Sequence, residues 1–267
     1  MPNPNGPTPD ADMHLLLCND DGIDAEGLQT LRSTLLEAVP GWRITTVAPD
    51  REQSATSHSL TLSDPLRIQE RGGEQYAVSG TPTDCVLVAM KGLLKDDPPQ
   101  VVLSGINHGP NMGEDVHYSG TVAAAFEGLI LGLPAIALSL ASKARPRQFS
   151  GAIRFLRDVL PGWIESLAGR AILLNVNLPA LPADEVRGIR VCALGSRQYD
   201  DLIIEKTDPR GRKYYWIGGD ACTYEPRPDS DFVLSAEGWI TVTPLRVDIT
   251  DHDQLAAMRE LVGDWPK

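Results

Sequence analysis

Val-Val-Leu-Ser-Gly-Ile-Asn-His-Gly-Pro-Asn-Met-Gly-Glu-Asp-Val-His-Tyr-Ser-Gly-Thr-Val-Ala-Ala-Ala-Phe-Glu-Gly, residues 101–128, is the stretch around which the rest of the chain is arranged. It opens on an apolar run, Val101 to Leu103, that predicts a buried strand, and it closes on the alanine-rich run Thr121 to Leu131, which predicts a helix. Residues 104–120 lie between them, far more than the ~2–6 residues that usually join a strand to its helix. This loop carries Asn107, His108, Asn111, Asp115, His117, Tyr118 and Ser119, interleaved with Gly105, Gly109, Gly113 and Gly120. Long ordered loops of this composition usually carry function. Its end, Ser119-Gly120-Thr121, offers the free main-chain N–H groups of a helix start, which can hold an anion. The plainer alternative is a glycine-rich surface turn with an ordinary helix cap.

The flanking chain repeats the strand–helix alternation. Met13 to Cys18 reads as a buried strand that breaks at Asn19-Asp20-Asp21-Gly22, and Leu28, Leu31, Leu35 and Leu36 then recur at helical spacing up to Pro40-Gly41. Arg43 to Ala48 predicts a second strand, stopped by Pro49, so the two form a right-handed βαβ unit. After a polar loop at 50–59, Leu60 to Gln69 and Gln75 to Val78 predict extended segments, closed as a hairpin by Arg71-Gly72-Gly73. Thr81-Pro82-Thr83-Asp84 is a helix start, with Thr81 as cap, Pro82 at the first position and Asp84 reaching back. A strand at Ala135 to Leu140, a helix over 149–167 with Pro161-Gly162 as its weak point, and a strand at Ala171 to Val176 follow. The fold class expected is α/β: a Rossmann-like, doubly wound, mostly parallel sheet.

Beyond residue 180 the texture changes. Residues 199–217 predict two extended segments about an Asp208-Pro209-Arg210-Gly211 turn, Trp239 to Val247 a strand, and Leu255 to Val262 a terminal helix. The organisation expected is a disordered tail at 1–12, a catalytic core at 13–180, and a C-terminal extension at 181–267 that serves as hairpin lid and oligomerisation arm. Composition agrees with a globular chain: 267 residues, 42% hydrophobic and 22% charged. The net charge of −12 and the lack of any Lys/Arg run argue against a DNA-binding role. No run approaches the ~18 apolar residues that cross a membrane. The residues before 13 have no signal-peptide character. Cys18, Cys85, Cys192 and Cys222 lack metal-site spacing and read as buried free thiols. A soluble, cytoplasmic protein is expected.

In an open α/β sheet, ligands gather beyond the carboxyl ends of the strands. Three loops leave such ends here: 19–22, 50–59 and 104–120. The first holds Asp20 and Asp21, whose mutual repulsion a hard divalent cation would relieve. Ser54 and Asn107 can add neutral oxygens, a set suited to Mg²⁺ or Mn²⁺ with room for water and a phosphate. An Asp-Asp-Gly turn with Asp24 as helix cap, and plain loop hydrogen bonding for Ser54 and Asn107, remain as alternatives at this point.

The whole pattern resembles the SurE (survival protein E) 5′-nucleotidase family. The matching stretches are Leu-Leu-Leu-Cys-Asn-Asp-Asp-Gly-Ile at 15–23, Val-Ala-Pro-Asp-Arg-Glu-Gln-Ser at 47–54, Ser-Leu-Thr-Leu at 59–62, Gly-Thr-Pro-Thr-Asp-Cys-Val at 80–86 and the long run at 104–128. Thr243-Pro244-Leu245 and Asp248-Ile249-Thr250 complete the order. The resemblance implies a metal-dependent phosphatase of nucleoside 5′-monophosphates, with 3′-monophosphates and short polyphosphate as further substrates. It implies one divalent cation per subunit, Mg²⁺ or Mn²⁺, on Asp20, Asp21, Ser54 and Asn107. Asn111, Ser119, Gly120 and Thr121 would face the phosphate, and Asp21, Asn111 and Ser119 would act in catalysis. A homodimer or homotetramer through the C-terminal arm is also implied. Ala55 departs from the family's frequent glycine, and 183–235 match only loosely. Water oriented by Asp21 and the metal is the expected nucleophile, an aspartyl-phosphate on Asp21 the lesser alternative. His58 and His117 are the candidate acids for the leaving group. A dinucleotide-binding enzyme is disfavoured because no Gly-x-Gly-x-x-Gly follows the first strand. A phosphate-sensing module without catalysis stays open.

Overall fold

Leu15, Leu16 and Leu17 are consecutive and fully buried, which a strand permits only when both faces of its sheet are covered. They belong to β1 (His14–Cys18) of a computed structural model that describes residues 13–198, 203–217 and 223–263. The expected tail at 1–12 and Cys222 lie outside the described residues. The other strands are β2 (Arg43–Pro49), β3 (Ile68–Gly72), β4 (Gln75–Val78), β5 (Val101–His108), β6 (Ala135–Leu140), β7 (Leu173–Leu178) and β8 (Gly188–Val191), then β9 (Arg197–Gln198), β10 (Ile203–Thr207), β11 (Lys213–Ile217), β12 (Thr223–Tyr224) and β13 (Trp239–Leu245). The helices are α1 (Glu26–Ala38), α2 (Pro82–Val88), α3 (Gly120–Ile130), α4 (Ser150–Asp158), α5 (Leu160–Leu167), α6 (Asp231–Ala236) and α7 (Leu255–Val262).

Nine strands form one sheet in the order β3-β4-β2-β1-β5-β6-β7-β13-β8. From β4 to β7 neighbouring strands run parallel; β3 and β13 are antiparallel to β4 and β7. The order reverses at β1, with β2 on one side and β5 on the other, which makes the crevice between β1 and β5 the natural ligand site. Alternation sorts the side chains between two cores. Leu15, Leu17, Leu103, Ile136 and Leu138 pack with α1, α4 and α5, whereas Leu16, Cys18, Val102, Ala135 and Ala137 pack with α2 and α3. The alanines let α3 lie close; at Gly128 a Cβ would come within 2.8 Å of Val102.

The expected α/β architecture is present, with four local differences. Residues 60–67 form no strand; pairing begins at Ile68 and the turn falls at Gly73-Glu74. Pro65 has no N–H to give to a ladder there. The central strand does not end at Leu103 but reaches His108, because β6 pairs with it as far as Asn107↔Ser139 and His108↔Leu140. The ladder is irregular between Ser104 and Asn107, where Gly105 adopts φ +140° and a Cβ would stand 2.3 Å from the Leu138 carbonyl oxygen. The helix over 149–167 divides at Val159, with Pro161 in the first turn of α5, where its missing N–H costs nothing. Finally β8 and β13, which the sequence placed in the C-terminal extension, complete one edge of the main sheet.

The hairpin and the end of the chain project, while α6 packs on the core through Asp231 and Phe232. β10 and β11 pair as the expected hairpin, and every residue from 246 to 263 is exposed. Cys18, Cys85 and Cys192 are buried free thiols, as the sequence implied. Among the described residues no helix is long and apolar enough to cross a membrane. Gly105→Ala should therefore lower stability by about 3 kcal/mol or more, adding a backbone clash to a φ that L-residues avoid; urea denaturation against the parent chain measures it.

Candidate active site

Five polar loops and strand ends meet above the β1–β5 crevice and enclose a cleft of about 510 Å³, within the usual size of small-ligand pockets. β1 delivers Asp20 and Asp21, the loop after β2 delivers Glu52 and Ser54, and the end of β5 delivers Asn107 and His108. Asn111, Asp115 and Ser119 line it from the loop that follows, and Lys143, Arg145 and Arg147 from the loop after β6. Arg197 closes one side.

Asp20 is buried, 5% exposed, with Thr121 Oγ1 donating to its Oδ1. The start of α3 abuts it so closely that a Cβ on Gly120 would stand 2.8 Å from the Asp20 Cβ. Burial pushes the Asp20 carboxyl up to about 6; the adjacent Asp21 charge adds to the rise and the Thr121 hydroxyl opposes it. Asp21 is raised as well, by burial first, against the pull of His108. His108 sits against it, the main-chain N–H donating to Asp21 Oδ2 at 3.1 Å and ring Nδ1 3.3 Å from the same oxygen. Burial holds the His108 ring below its usual value, with the Asp21 charge opposing.

The neutral oxygens are prepared by local bonds. Asn107 Nδ2 donates to the Gly109 carbonyl at 2.8 Å, which commits the amide nitrogen and leaves Oδ1 as the acceptor. Ser54 Oγ donates to Glu52 at 2.7 Å and keeps its lone pairs. Among the described residues no three His, Cys, Asp or Glu side chains converge to hold an ion. A cation here would depend on two carboxylates and the oxygens of Ser54 and Asn107, a hard all-oxygen set. Asp20, raised by burial and lacking a cationic partner among the described residues, is the observation that such an ion fits.

Asn111 is locked from β7: its N–H donates to Asn177 Oδ1 at 2.9 Å, and its carbonyl accepts from Asn175 and Asn177 at 2.8 and 3.0 Å. Its side-chain Nδ2 donates to Ser139 Oγ at 2.8 Å. Ser119 caps α3, its Oγ accepting from the Val122 N–H at 3.1 Å, so the hydroxyl proton is free to donate outward. The cleft thus brings together Asp20, Asp21, Ser54, Asn107, Asn111 and Ser119. Gly120 and Thr121, expected to face a phosphate, instead stand behind Asp20 and brace it. Neither candidate acid lines the cleft. His58 Nε2 lies 2.9 Å from Glu127 Oε2, and His117 lines a separate apolar hollow with Phe126, Cys192 and Leu245.

Several lining residues escaped the sequence. His108 was one polar residue among many in its loop, and the basic residues at 143–147 gave no run. Asn175 and Asn177 sit two apart on one face of a strand, an alternation that could have been noticed. Asp231, at the start of α6, accepts from the Gly113 N–H at 2.9 Å and the Gly195 N–H at 2.8 Å; nothing in its sequence neighbourhood indicated that it clamps the long loop.

The Survival protein SurE family model matches residues 15–201. The chain is 52% identical over 253 residues to the 5′-nucleotidase SurE of Gemmatimonas aurantiaca, covering 93% of this chain and 98% of that one. It is 48% identical over 244 residues to the 5′-nucleotidase SurE of Gloeobacter violaceus, covering 89% and 91%. The crystal structure of the SurE protein from Aquifex aeolicus superposes with a TM-score of 0.82 at 36% identity, over 94% of this chain and all of that one.

The Asp20 carboxyl has an ordinary value of 3.8 and about 6 in the folded chain. Between those values the unfolded chain is ionised first, so metal-free stability falls as the pH rises through this window. With a chelator present, Asp20→Asn should be the more stable chain at pH 7 by about 2–3 kcal/mol, an advantage absent below pH 4. Urea denaturation at the two pH values reads this, and equal stability at pH 7 argues against an uncompensated buried carboxylate.

Proposed function

The chain belongs to the SurE family, and on that footing we propose that it is a divalent-metal-dependent phosphatase that hydrolyses nucleoside 5′-monophosphates to nucleoside and phosphate. The observation that carries this is the pair Asp20 and Asp21, side by side at the carboxyl end of β1, both raised by burial and sharing a cleft with Ser54 and Asn107. When bound, an ion such as Mg²⁺ or Mn²⁺ supplies Lewis acidity to a phosphoryl oxygen and makes a water more acidic. The relatives from Gemmatimonas aurantiaca and Gloeobacter violaceus, each a 5′-nucleotidase SurE, supply the substrate class.

The chain's own groups do the rest. Asp21 orients the attacking water, the role preferred over an aspartyl-phosphate. Ser119, already aligned by its cap bond, donates its hydroxyl to a phosphate oxygen, and Asn111, held by three main-chain bonds from β7, presents its amide without needing to reorganise. Lys143 and Arg145 bring positive charge to the cleft of a chain whose net charge is −12, so a phosphate meets a locally favourable field. Short polyphosphate and 3′-monophosphates fit the same chemistry.

The exposed apolar residues of the arms support self-association. Ile204, Tyr215 and Trp216 on the hairpin and Met258, Leu261 and Val262 on α7 face solvent, where a second copy would cover them.

Phosphate release from a panel of nucleoside monophosphates and polyphosphate, with Mg²⁺, Mn²⁺ and Co²⁺, tests the activity. Asp21→Asn should abolish metal-dependent release while leaving the circular dichroism spectrum unchanged; full activity in that variant, or none in the parent with any metal, sinks the assignment. A chain ending at Leu245 should show a smaller assembly by light scattering than the full chain, and an unchanged mass removes α7 from the interface.

A further inference from the structure

One residue meets Asp21 at two points. The His108 main-chain N–H donates to Asp21 Oδ2 at 3.1 Å, and Nδ1 of its ring lies 3.3 Å from that oxygen. The far side of the ring locates the proton. The Gly27 N–H donates to His108 Nε2 at 3.2 Å, so Nε2 is an acceptor, and a neutral ring then carries its proton on Nδ1, facing Asp21.

Gly27 lies in the first turn of α1, where main-chain N–H groups lack partners inside the helix and the helix dipole is positive. That end of the helix therefore stabilises a lone pair on Nε2. The approach depends on a missing side chain: a Cβ at Gly27 would stand 2.0 Å from the Ile106 carbonyl oxygen and 3.2 Å from His108 Nε2. Helix, ring and carboxylate thus form a chain, from the Gly27 N–H through the imidazole to Asp21 Oδ2.

We propose that His108 is a positioning residue for Asp21, its main-chain N–H and the Nδ1 edge of its ring both meeting Oδ2, so that Oδ1 stays available to a cation. The inference rests on the metal reading above. Among the described residues Oδ1 receives no hydrogen bond, whereas the His108 N–H donates to Oδ2 and the ring faces the same oxygen. The type of donor matters. A lysine or arginine here would cancel the carboxylate charge and compete with the ion, while a neutral N–H orients the group and leaves its charge intact. His108 is thereby excluded as the leaving-group acid, since Nδ1 is committed to Asp21 and Nε2 to Gly27. The contact is also sheltered, the two side chains being 15% and 12% exposed, so it acts at low local dielectric.

Asparagine at this position sets its Nδ2 near the place of Nδ1 and restores the donor; glutamine reaches the Nε2 end and does not. Titration calorimetry with Mn²⁺ on the full chain, without substrate, compares the parent with His108→Ala, His108→Gln and His108→Asn. The alanine and glutamine variants should bind Mn²⁺ roughly 10–100-fold more weakly, and the asparagine variant should bind close to the parent. A residue that only packs would shift the thermal midpoint of all three and leave their Mn²⁺ affinities alike. Parent-like binding by His108→Ala, or asparagine no better than glutamine, overturns the positioning role while the metal reading stands. A parent that does not bind Mn²⁺ overturns both. If the alanine variant fails to fold, the asparagine–glutamine pair still decides.

Discussion

Two carboxylates cannot be buried side by side without something to answer for their charge. Asp20 and Asp21 occupy that position at the carboxyl end of a strand whose other residues are sealed on both faces. The raised values of both groups express the cost of removing charge from water. Every element around them is arranged to limit that cost without cancelling it. The start of α3 backs Asp20 through Thr121, His108 holds one oxygen of Asp21, and the loop after β2 leans in through the Gln53 N–H, which donates to the Asp20 carbonyl at 2.8 Å. A site that neutralised the pair outright with lysine or arginine would be more stable and of no use to a cation.

The long loop after β5 answers a related problem. Apart from the buried Met112 and Val116 its residues are mostly polar or glycine, so much of its order comes from hydrogen bonds supplied by other parts of the chain. β7 contributes Asn175 and Asn177 to hold Asn111. α6 contributes Asp231, which takes the N–H groups of Gly113 and Gly195. Glu114 accepts from Ser196 and Arg197, and Asp115 pairs with Arg197 at 2.6 Å. The C-terminal extension is therefore part of what makes the cleft rigid, beyond its two strands in the main sheet. Preorganised donors around Asn111 and Ser119 suit the binding of an anion whose geometry changes during reaction.

Helix and strand content followed from local patterning because the two cores demand it: a doubly covered strand must be apolar throughout, and helices on either face must be apolar on one side. Hence β1, β2, β6, α1 and α3 were legible, as were the capping box of α2, with Thr81 and Asp84 bonded reciprocally, and the Asp20, Asp21, Ser54, Asn107, Asn111 and Ser119 constellation. The extension of β5 to His108 was not, because Ile106 is the one apolar residue between Ser104 and His108, and beyond Ser104 only β6 pairs with the strand. The histidines were misjudged for the same reason. The sequence singled out His58 and His117 and left His108 among the loop's other polar residues, and only packing shows that His108 faces Asp21 while His58 is spent on Glu127.

Residue order and chemistry alone pointed to the sheet class and to Asp20, Asp21, Ser54 and Asn107 as the acidic and neutral oxygens beyond the strand ends, since each lies in a loop that leaves a strand. The folded chain settled the rest: the membership of β8 and β13 in the main sheet, the role of Thr121 behind Asp20, the asparagine and aspartate clamps from β7 and α6, and the basic residues of the loop after β6. These depend on contacts between groups far apart in sequence. Local propensity carries no trace of such contacts, because their energy exists only once the two segments have met.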